Sequence, residues 1–456
     1  MNLTLLLTAA TLVAVAALSI LFSRRPAWGL GLFVASLPFE RIGSYSLNPA
    51  TGYPLLHAAQ IVGAGLIGGY GLRFLGGRER LKIPRSFWFL AAFFASAVVS
   101  AVLARVQEVW QILVWLAFIS TLFLVIAQWA SRANVRVIRK TMVIAVLVVS
   151  IFGLYQLAGD LAGLPTSVTG LRPVYTKSVL GFTRIQSTAL EPLYFANYLF
   201  LPLFMLLALG SEVGFDGKVE VTALILAFLN FILTLSRGGY VSGAVGLVLL
   251  LVLTRQRMLP WLRTHSRAAA ATIVTAIVIL LVTTTVAIKI AKPGQFSVAT
   301  ALKNFLGTHA FETGSFTARL HDEKLALQIW EKHPVFGVGI GGFGSAYYGC
   351  HIGKCVYRPN NQALEVLAEG GVVGFLVFHA FLLALLVYGW QALKKTTGQQ
   401  RAMIAGLMAA VVAMVVQSQT FSGFLCCLTY TWGTLGLLAG LSSDTGTHKT
   451  AKGGRT

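Results

Sequence analysis

The recurrence of long apolar stretches constrains this chain more than any other feature. Several run to roughly 18 residues or more, enough for a helix to cross a bilayer. Within lipid every backbone N–H and C=O must be satisfied by the segment itself, which selects helices over open sheets. Composition agrees: 56% of residues are hydrophobic and 11% charged, against about 25% charged in soluble domains. The mean hydropathy is +0.76. The expected fold class is an all-α polytopic membrane protein. Spans are predicted near 2–22, 27–38, 56–75, 87–105, 111–130, 141–159, 190–210, 219–236, 238–254, 268–290, 363–392, 402–418 and 422–441. This makes about thirteen spans, or twelve if the short stretch between Pro26 and Pro38 does not cross. The first stretch lacks a basic leader and a small-residue cleavage site, so it reads as a span and not a signal peptide.

The net charge is +21. In a soluble protein that would suggest nucleic acid, but no zinc-finger spacing or aromatic RNA-binding motif accompanies it. The cations instead fall in short connections between spans. Arg73, Arg78, Arg80, Lys82 and Arg85 lie in 71–85; Arg132, Arg136, Arg139 and Lys140 in 131–140; Arg255, Arg257, Arg263 and Arg267 in 254–267. Lys394, Lys395 and Arg401 follow, and then Lys449, Lys452 and Arg455 in the tail. Under this set of spans they share one face, which the positive-inside rule makes cytoplasmic. Connections 39–55, 160–189 and 292–362 then lie on the other. The chain divides into an N-terminal bundle (1–291), a large extracytoplasmic loop (292–362), C-terminal spans (363–441) and a tail (442–456) whose polar composition predicts disorder.

The segment Arg319–Gly374 is the long polar insertion in this apolar chain, and its polarity marks it as a place for chemistry. Leu320, Leu325, Leu327, Ile329 and Trp330 predict a partly apolar helix after Arg319, stopped by Pro334, with the turn GVGIGG beyond. Cys350 and Cys355 in CHIGKC form a disulfide if the loop is extracytoplasmic, or stand as free thiols. CxxxxC is poor metal spacing, although His351 keeps a metal reading open. Cys426 and Cys427 lie in an apolar run and read as packing residues. Three arginines sit on the side the charge rule leaves poor: Arg184, Arg237 and Arg319. Arg237, in SRGGY between two apolar segments, is the sharpest. A guanidinium at a membrane boundary is a functional candidate, and its planar fork suits phosphate. Together the three can clamp a diphosphate; the plainer reading of Arg237 is interfacial snorkelling. Glu191, before Pro192 at the start of a span, either complements the helix dipole or serves as a general base or sugar contact.

SRGGY, the Arg319 helix followed by HPVFGVGIGGFG, and NNQALEVLAEGGVVG resemble the O-antigen ligase and O-antigen polymerase superfamily of bacterial envelopes, in their order and over nearly the whole chain. The resemblance implies a helical glycosyltransferase of the inner membrane with its site facing the periplasm. It moves a glycan from undecaprenyl diphosphate to an acceptor hydroxyl with inversion. No cofactor or metal is implied. The family's periplasmic arginines fall on Arg184, Arg237 and Arg319, as ligands of the diphosphate. The ligases carry His-Asn where this chain has Asn360-Asn361, and Glu191-Pro192 is more like the polymerases. The polymerase branch is therefore expected, with Asn360 and Asn361 positioning glycan or acceptor. A base, if one is needed, comes from Glu191, His309, His321, His333 or His351; His333 also suits a helix C-terminus. The expected partners are the lipid-linked glycan, membrane lipid and a chain-length regulator. A ligase is the alternative, and a flippase the alternative of another class, although transporters place charges between repeated halves at the midplane.

Alkaline phosphatase fused near residue 310 should be active and fused near residue 260 inactive. The reverse pattern would invert the topology and remove the site from the periplasm.

Overall fold

The computed structural model describes residues 3–41, 45–46, 55–104, 109–130, 135–180, 183–290, 314–348, 358–421 and 428–443. The helices are α1 (Leu3–Arg24), α2 (Pro26–Ser36), α3 (Ala58–Leu75), α4 (Arg85–Ala104), α5 (Val109–Ala130), α6 (Val135–Leu161), α7 (Thr166–Thr169), α8 (Lys177–Leu180), α9 (Pro192–Glu212), α10 (Lys218–Leu233), α11 (Arg237–Ile290), α12 (Gly314–Lys332), α13 (Phe343–Tyr348), α14 (Gln362–Leu393), α15 (Gly398–Gln417) and α16 (Thr429–Ser443). The strands among the described residues are Tyr45–Ser46 and Leu55–Leu56, paired antiparallel. Among the described residues eight helices are long and apolar enough to cross a membrane, and α2 is a shorter apolar helix of 11 residues. The chain is an all-α polytopic membrane protein. Twelve or thirteen crossings were expected; α10 and α16 stand where spans were predicted but are only 16 and 15 residues long.

One predicted break is absent. The connection 254–267 was expected to separate spans 238–254 and 268–290, yet α11 continues through it and through Pro260 to Ile290. The stretch TRQRMLPWLRTHSR has no glycine, and arginine, leucine and methionine are good helix formers. Charge marks where a helix leaves lipid without ending the helix. The edge-on contact of Trp261 with Phe215, 6.1 Å between centroids, ties this part of α11 to the α9–α10 turn.

The bundle has two distinct ends. At one end Arg73 bonds the Ser23 carbonyl (2.9 Å), Arg401 the Leu393 carbonyl (2.6 Å) and Gln400 the Leu441 carbonyl (2.9 Å). Arg139, expected as a loop cation, is 1% exposed. Its guanidinium grips the Glu220 carboxylate through Nε and Nη2, both at 2.6 Å, and joins α6 to α10. The N-termini of α9, α11 and α14 lie at the other end, with the C-termini of α10 and α15. The core lies between α5, α9, α14, α15 and α16, where Trp129, Tyr198, Phe200, Phe381 and Trp432 are buried.

α14 is broken at Gly371, whose φ of 62° is left-handed. The turn after α12 fills the break. Val338 N donates to Ala368 O (3.1 Å) and Gly339 N to Glu369 O (2.9 Å); Val372 N donates to Pro334 O (2.8 Å) and Val373 N to Val335 O (3.2 Å). Ser100 of α4 donates to the carbonyls of both Phe336 and Glu369. The Glu369 carboxylate accepts from Gly341 N (2.6 Å) and Phe343 N (3.2 Å). Two of the sequence motifs, HPVFGVGIGGFG and AEGGVVG, thus form one unit in which each satisfies the other's open backbone groups.

Gly371→Ala should destabilise the protein. The positive φ strains any side chain, and an added Cβ would stand 2.3 Å from Val335 C. A loss on the order of 3 kcal/mol is expected in thermal unfolding of detergent-purified protein. Gly374→Ala is the control, because its Cβ would meet only Ser96 Oγ, at 3.9 Å.

Candidate functional site

SRGGY forms the turn between α10 and α11, and each residue has a local reason. Leu235 takes a φ of 50°, which reverses the chain in three residues. Ser236 precedes the helix and its Oγ accepts from Gly239 N (3.3 Å), as a capping hydroxyl does. Gly238 lies against Thr420 and Gly239 against Ala196, where an added Cβ would fall 2.9 and 3.1 Å from those side chains. Tyr240 hydroxyl donates to Ile232 O and closes the hairpin. Arg237 is thereby left at the first position of α11, exposed. Among the described residues its guanidinium has no hydrogen-bond or ion-pair partner.

The connection before α9 is folded back onto this hairpin. Arg184 Nε donates to Thr234 O (3.1 Å), and Arg184 N to Tyr175 O (2.9 Å). Burial lowers the Arg184 pKa, and the nearby Arg237 lowers it further; Tyr175, Tyr240 and Glu191 act in the opposite sense. The structure therefore brings Arg184, Arg237 and Glu191 into one electrostatic neighbourhood. Glu191 stands in extended conformation before α9 with no side-chain cap bond. It pairs instead with Arg172 at 3.2 Å. Arg172 and Arg184 both lie 5.7 Å from the Tyr175 ring centroid. Burial, and next the Glu191 charge, push the Tyr175 hydroxyl up to about 12. The two non-glycine residues with positive φ among the described residues are Ser187 and Leu235. One lies between Arg184 and Glu191 and the other beside Arg237, so backbone strain is concentrated here, as it is at functional sites.

A second carboxylate approaches from α2. The segment after that helix pairs with the α9 approach: Arg41 N donates to Thr188 O (2.9 Å) and Thr188 Oγ1 to Pro38 O (2.6 Å). Glu40 is 5% exposed. Its Oε2 accepts from Leu190 N at 3.5 Å, and Oε1 is buried without a hydrogen-bond partner. Burial raises its pKa to about 8, so it is protonated at neutral pH. Arg41 Nη1 donates to Gly170 O (2.6 Å), and burial, together with Arg172, lowers the Arg41 pKa. Arg172, Tyr175, Arg41 and Glu40 were not singled out in the sequence. The charge rule that marked Arg184 applies equally to Arg41 and Arg172, which occupy the same two connections; Tyr175 and Glu40 carry no such signal.

Arg319 lies inside α12, which begins at Gly314, so it does not open the helix as predicted. Among the described residues no contact joins it to Arg184 or Arg237, and it has no hydrogen bond or ion pair there. The apolar face of α12 uses Leu325, Ala326 and Ile329, packed with Val338, Phe343 and Ala368. Leu320 and Leu327, expected on that face, are exposed. His321 and His333 are exposed, and His333 follows the last residue of α12. Asn361 caps α14, its side chain accepting from Ala363 N (3.1 Å) and Leu364 N (3.2 Å). Its amide also donates to Glu323 (3.4 Å), and that of Asn360 to Asp322 (3.3 Å). Arg358 pairs with buried Glu365 at 3.0 Å. His309, Cys350, His351, Cys355, Cys426 and Cys427 lie outside the described residues. Among those described, no group of three or more His, Cys, Asp or Glu stands close enough to hold a metal.

The fold and this end of the bundle define a multi-pass membrane protein with clustered guanidiniums where α9 and α11 begin. Residues 222–379 match the O-antigen ligase family model, so the chain carries a domain of the O-antigen ligase and polymerase superfamily. The match takes in the SRGGY turn, α12, the glycine-rich turn and the broken part of α14; Arg184 and Glu191 lie ahead of it. No curated protein matches the chain. The family supports glycosyl transfer of the O-antigen ligase and polymerase type, on a lipid-linked glycan in a membrane setting.

Glu40 makes stability depend on pH. Its folded pKa, about 8, lies above the reference 4.5. Between these values the unfolded chain ionises this carboxyl while the folded protein keeps it protonated, so stability falls as pH rises through that window and levels off above it. The full span corresponds to about 5 kcal/mol. Thermal unfolding in detergent should show Glu40→Gln with a smaller loss of stability between about pH 5 and pH 8 than the parent. Equal losses would mean that Glu40 ionises normally.

Proposed function

We propose that this protein transfers a glycan from undecaprenyl diphosphate to an acceptor hydroxyl at the periplasmic end of the bundle, in the inner membrane, and that it joins repeat units of a surface polysaccharide. The observation that carries the reading is the pair Arg184 and Arg237. Arg184 donates to Thr234 O of the strained turn that carries Arg237, and Arg237 is unpartnered among the described residues. Fixed guanidiniums of this kind stabilise charge that develops on a leaving group. The bond from the anomeric carbon to the diphosphate breaks with its electrons passing to phosphate oxygen. The acceptor oxygen bonds to the opposite face of that carbon, which inverts it. Glu191, oriented by Arg172, takes the hydroxyl proton. Arg319, on α12, joins the diphosphate from the loop side when substrate is bound. His321 and His351 are alternative bases, and Asn360 flanks the acceptor; Asn361 does so through the helix start it caps. Cys350 and Cys355 form a disulfide in the loop, and a chain-length regulator is the expected protein partner.

Glu191-Pro192, and Asn360 where the ligases have histidine, favour polymerisation. The matched family, O-antigen ligase, favours transfer to a lipid A-core or protein acceptor. Structural analysis of the glycan product in a deletion strain carrying this gene separates the two: a repeat-length ladder on the lipid diphosphate marks a polymerase.

Arg237→Ala and Arg184→Ala should each lower transfer about a hundredfold, while membrane insertion stays intact. Arg237→Lys should also be strongly impaired, since lysine keeps the charge and loses the fork. Glycan transfer by both alanine variants at near the parental rate would remove the diphosphate clamp.

A further inference from the structure

Tyr175 holds more of the site than any residue assigned a chemical role. It ends a 3-10 turn over Pro173–Tyr175. Its amide donates to Arg172 O and its carbonyl accepts from Arg184 N, both at 2.9 Å. Both guanidiniums lie 5.7 Å from its ring centroid. Glu191 in turn pairs with Arg172 at 3.2 Å. Backbone and ring of this one residue therefore reach two cations, one of them paired with the carboxylate.

A long arginine side chain is mobile unless something seats it, and two arginines close together repel. An aromatic face attracts a guanidinium through its quadrupole, stacks on its weakly hydrated plane and adds no negative charge that would compete with an anionic ligand. Preorganisation of this kind matters because ångström-scale misplacement of a catalytic group costs large factors in rate.

We propose that Tyr175 is a positioning residue: its ring seats Arg184 for the diphosphate and Arg172 for its pairing with Glu191. This rests on the functional reading above. The ring does this work and the hydroxyl does not, so substitution separates them. Tyr175→Phe keeps the ring and removes the hydroxyl. Tyr175→Leu removes both.

The test uses the full chain in lipid nanodiscs. Binding of farnesyl diphosphate is measured by calorimetry, and turnover is measured with a polyprenyl-diphosphate-linked saccharide. Tyr175→Leu should weaken farnesyl diphosphate binding about tenfold, from the loss of two cation–aromatic contacts. Tyr175→Phe, which keeps the ring, should bind it within about twofold of the parent. A role confined to fold stability would lower the amount of folded protein without weakening binding by the protein that folds. If the leucine variant does not fold, Tyr175→Met takes its place in the binding arm. Parental binding by the ring-deleted variant, or a tenfold loss of binding in Tyr175→Phe, overturns the inference. Arg184→Ala and Arg237→Ala, measured alongside, separate the two layers. If they lose binding while the ring-deleted variant does not, only the role of Tyr175 fails. If they bind farnesyl diphosphate as the parent does, the diphosphate reading itself fails.

Discussion

Backbone hydrogen bonding in an apolar bundle is the constraint on which the rest of this structure depends. A helix that breaks inside such a bundle leaves amides and carbonyls open, and each costs several kcal/mol if nothing meets it. α14 breaks at Gly371, and the turn 334–343 meets what the break exposes: carbonyls of Ala368 and Glu369 on one side, amides of Val372 and Val373 on the other. The Glu369 side chain then closes the turn through Gly341 N and Phe343 N. The turn cannot move away without uncovering these groups. It therefore fixes α12 against the start of α14 and sets where the polar segment sits relative to the membrane-spanning helices.

The cationic end follows from a different economy. Arg139 at the opposite end is buried, but the bidentate contact with Glu220 matches its charge directly. Arg184 is also largely buried, yet it receives a carbonyl, an aromatic ring and a carboxylate at a distance, and faces a second cation. In the first arrangement the charge is matched. The second leaves positive charge unspent, held in place by Leu235 and Ser187 in backbone conformations that cost about 1 kcal/mol or more each. An anionic ligand would relieve both the repulsion and the unfavourable burial.

Much of the fold was legible because apolar length and helical crossing are directly linked: most predicted spans coincide with helices within a few residues. α11 was misread at 254–267 because a run of arginines signals the membrane boundary, and only a glycine or an unfavourable backbone would signal a chain reversal. The site was legible in part. Arg184 and Arg237 stand out since they violate the charge rule, and the structure places them together. Arg319 violates it too, but its position relative to the others depends on how a long loop folds, which local pattern does not encode. Asn361 shows a different limit. An asparagine just before a helix is an ordinary capping signal, and this local role is the one its side chain takes. Arg172 breaks the charge rule as Arg184 does, whereas Tyr175 acquires its position only when residues 172–191 fold onto the α10–α11 turn.

The two carboxyls near the start of α9 show how burial and pairing divide similar groups into different states. Glu40 is enclosed, with one oxygen unpartnered and the other facing a long contact from Leu190 N. Burial outweighs the contact with Leu190 N, and it stays protonated at neutral pH. Glu191 is about a third exposed and stands 3.2 Å from Arg172. The protonated acid adds no negative charge beside Arg41, Arg172, Arg184 and Arg237, so the local balance of this end remains cationic even with Glu191 present. Its burial under the 38–41 and 188–190 pairing thus keeps this structural carboxyl neutral, and Glu191 is left as the ionised carboxylate paired with Arg172.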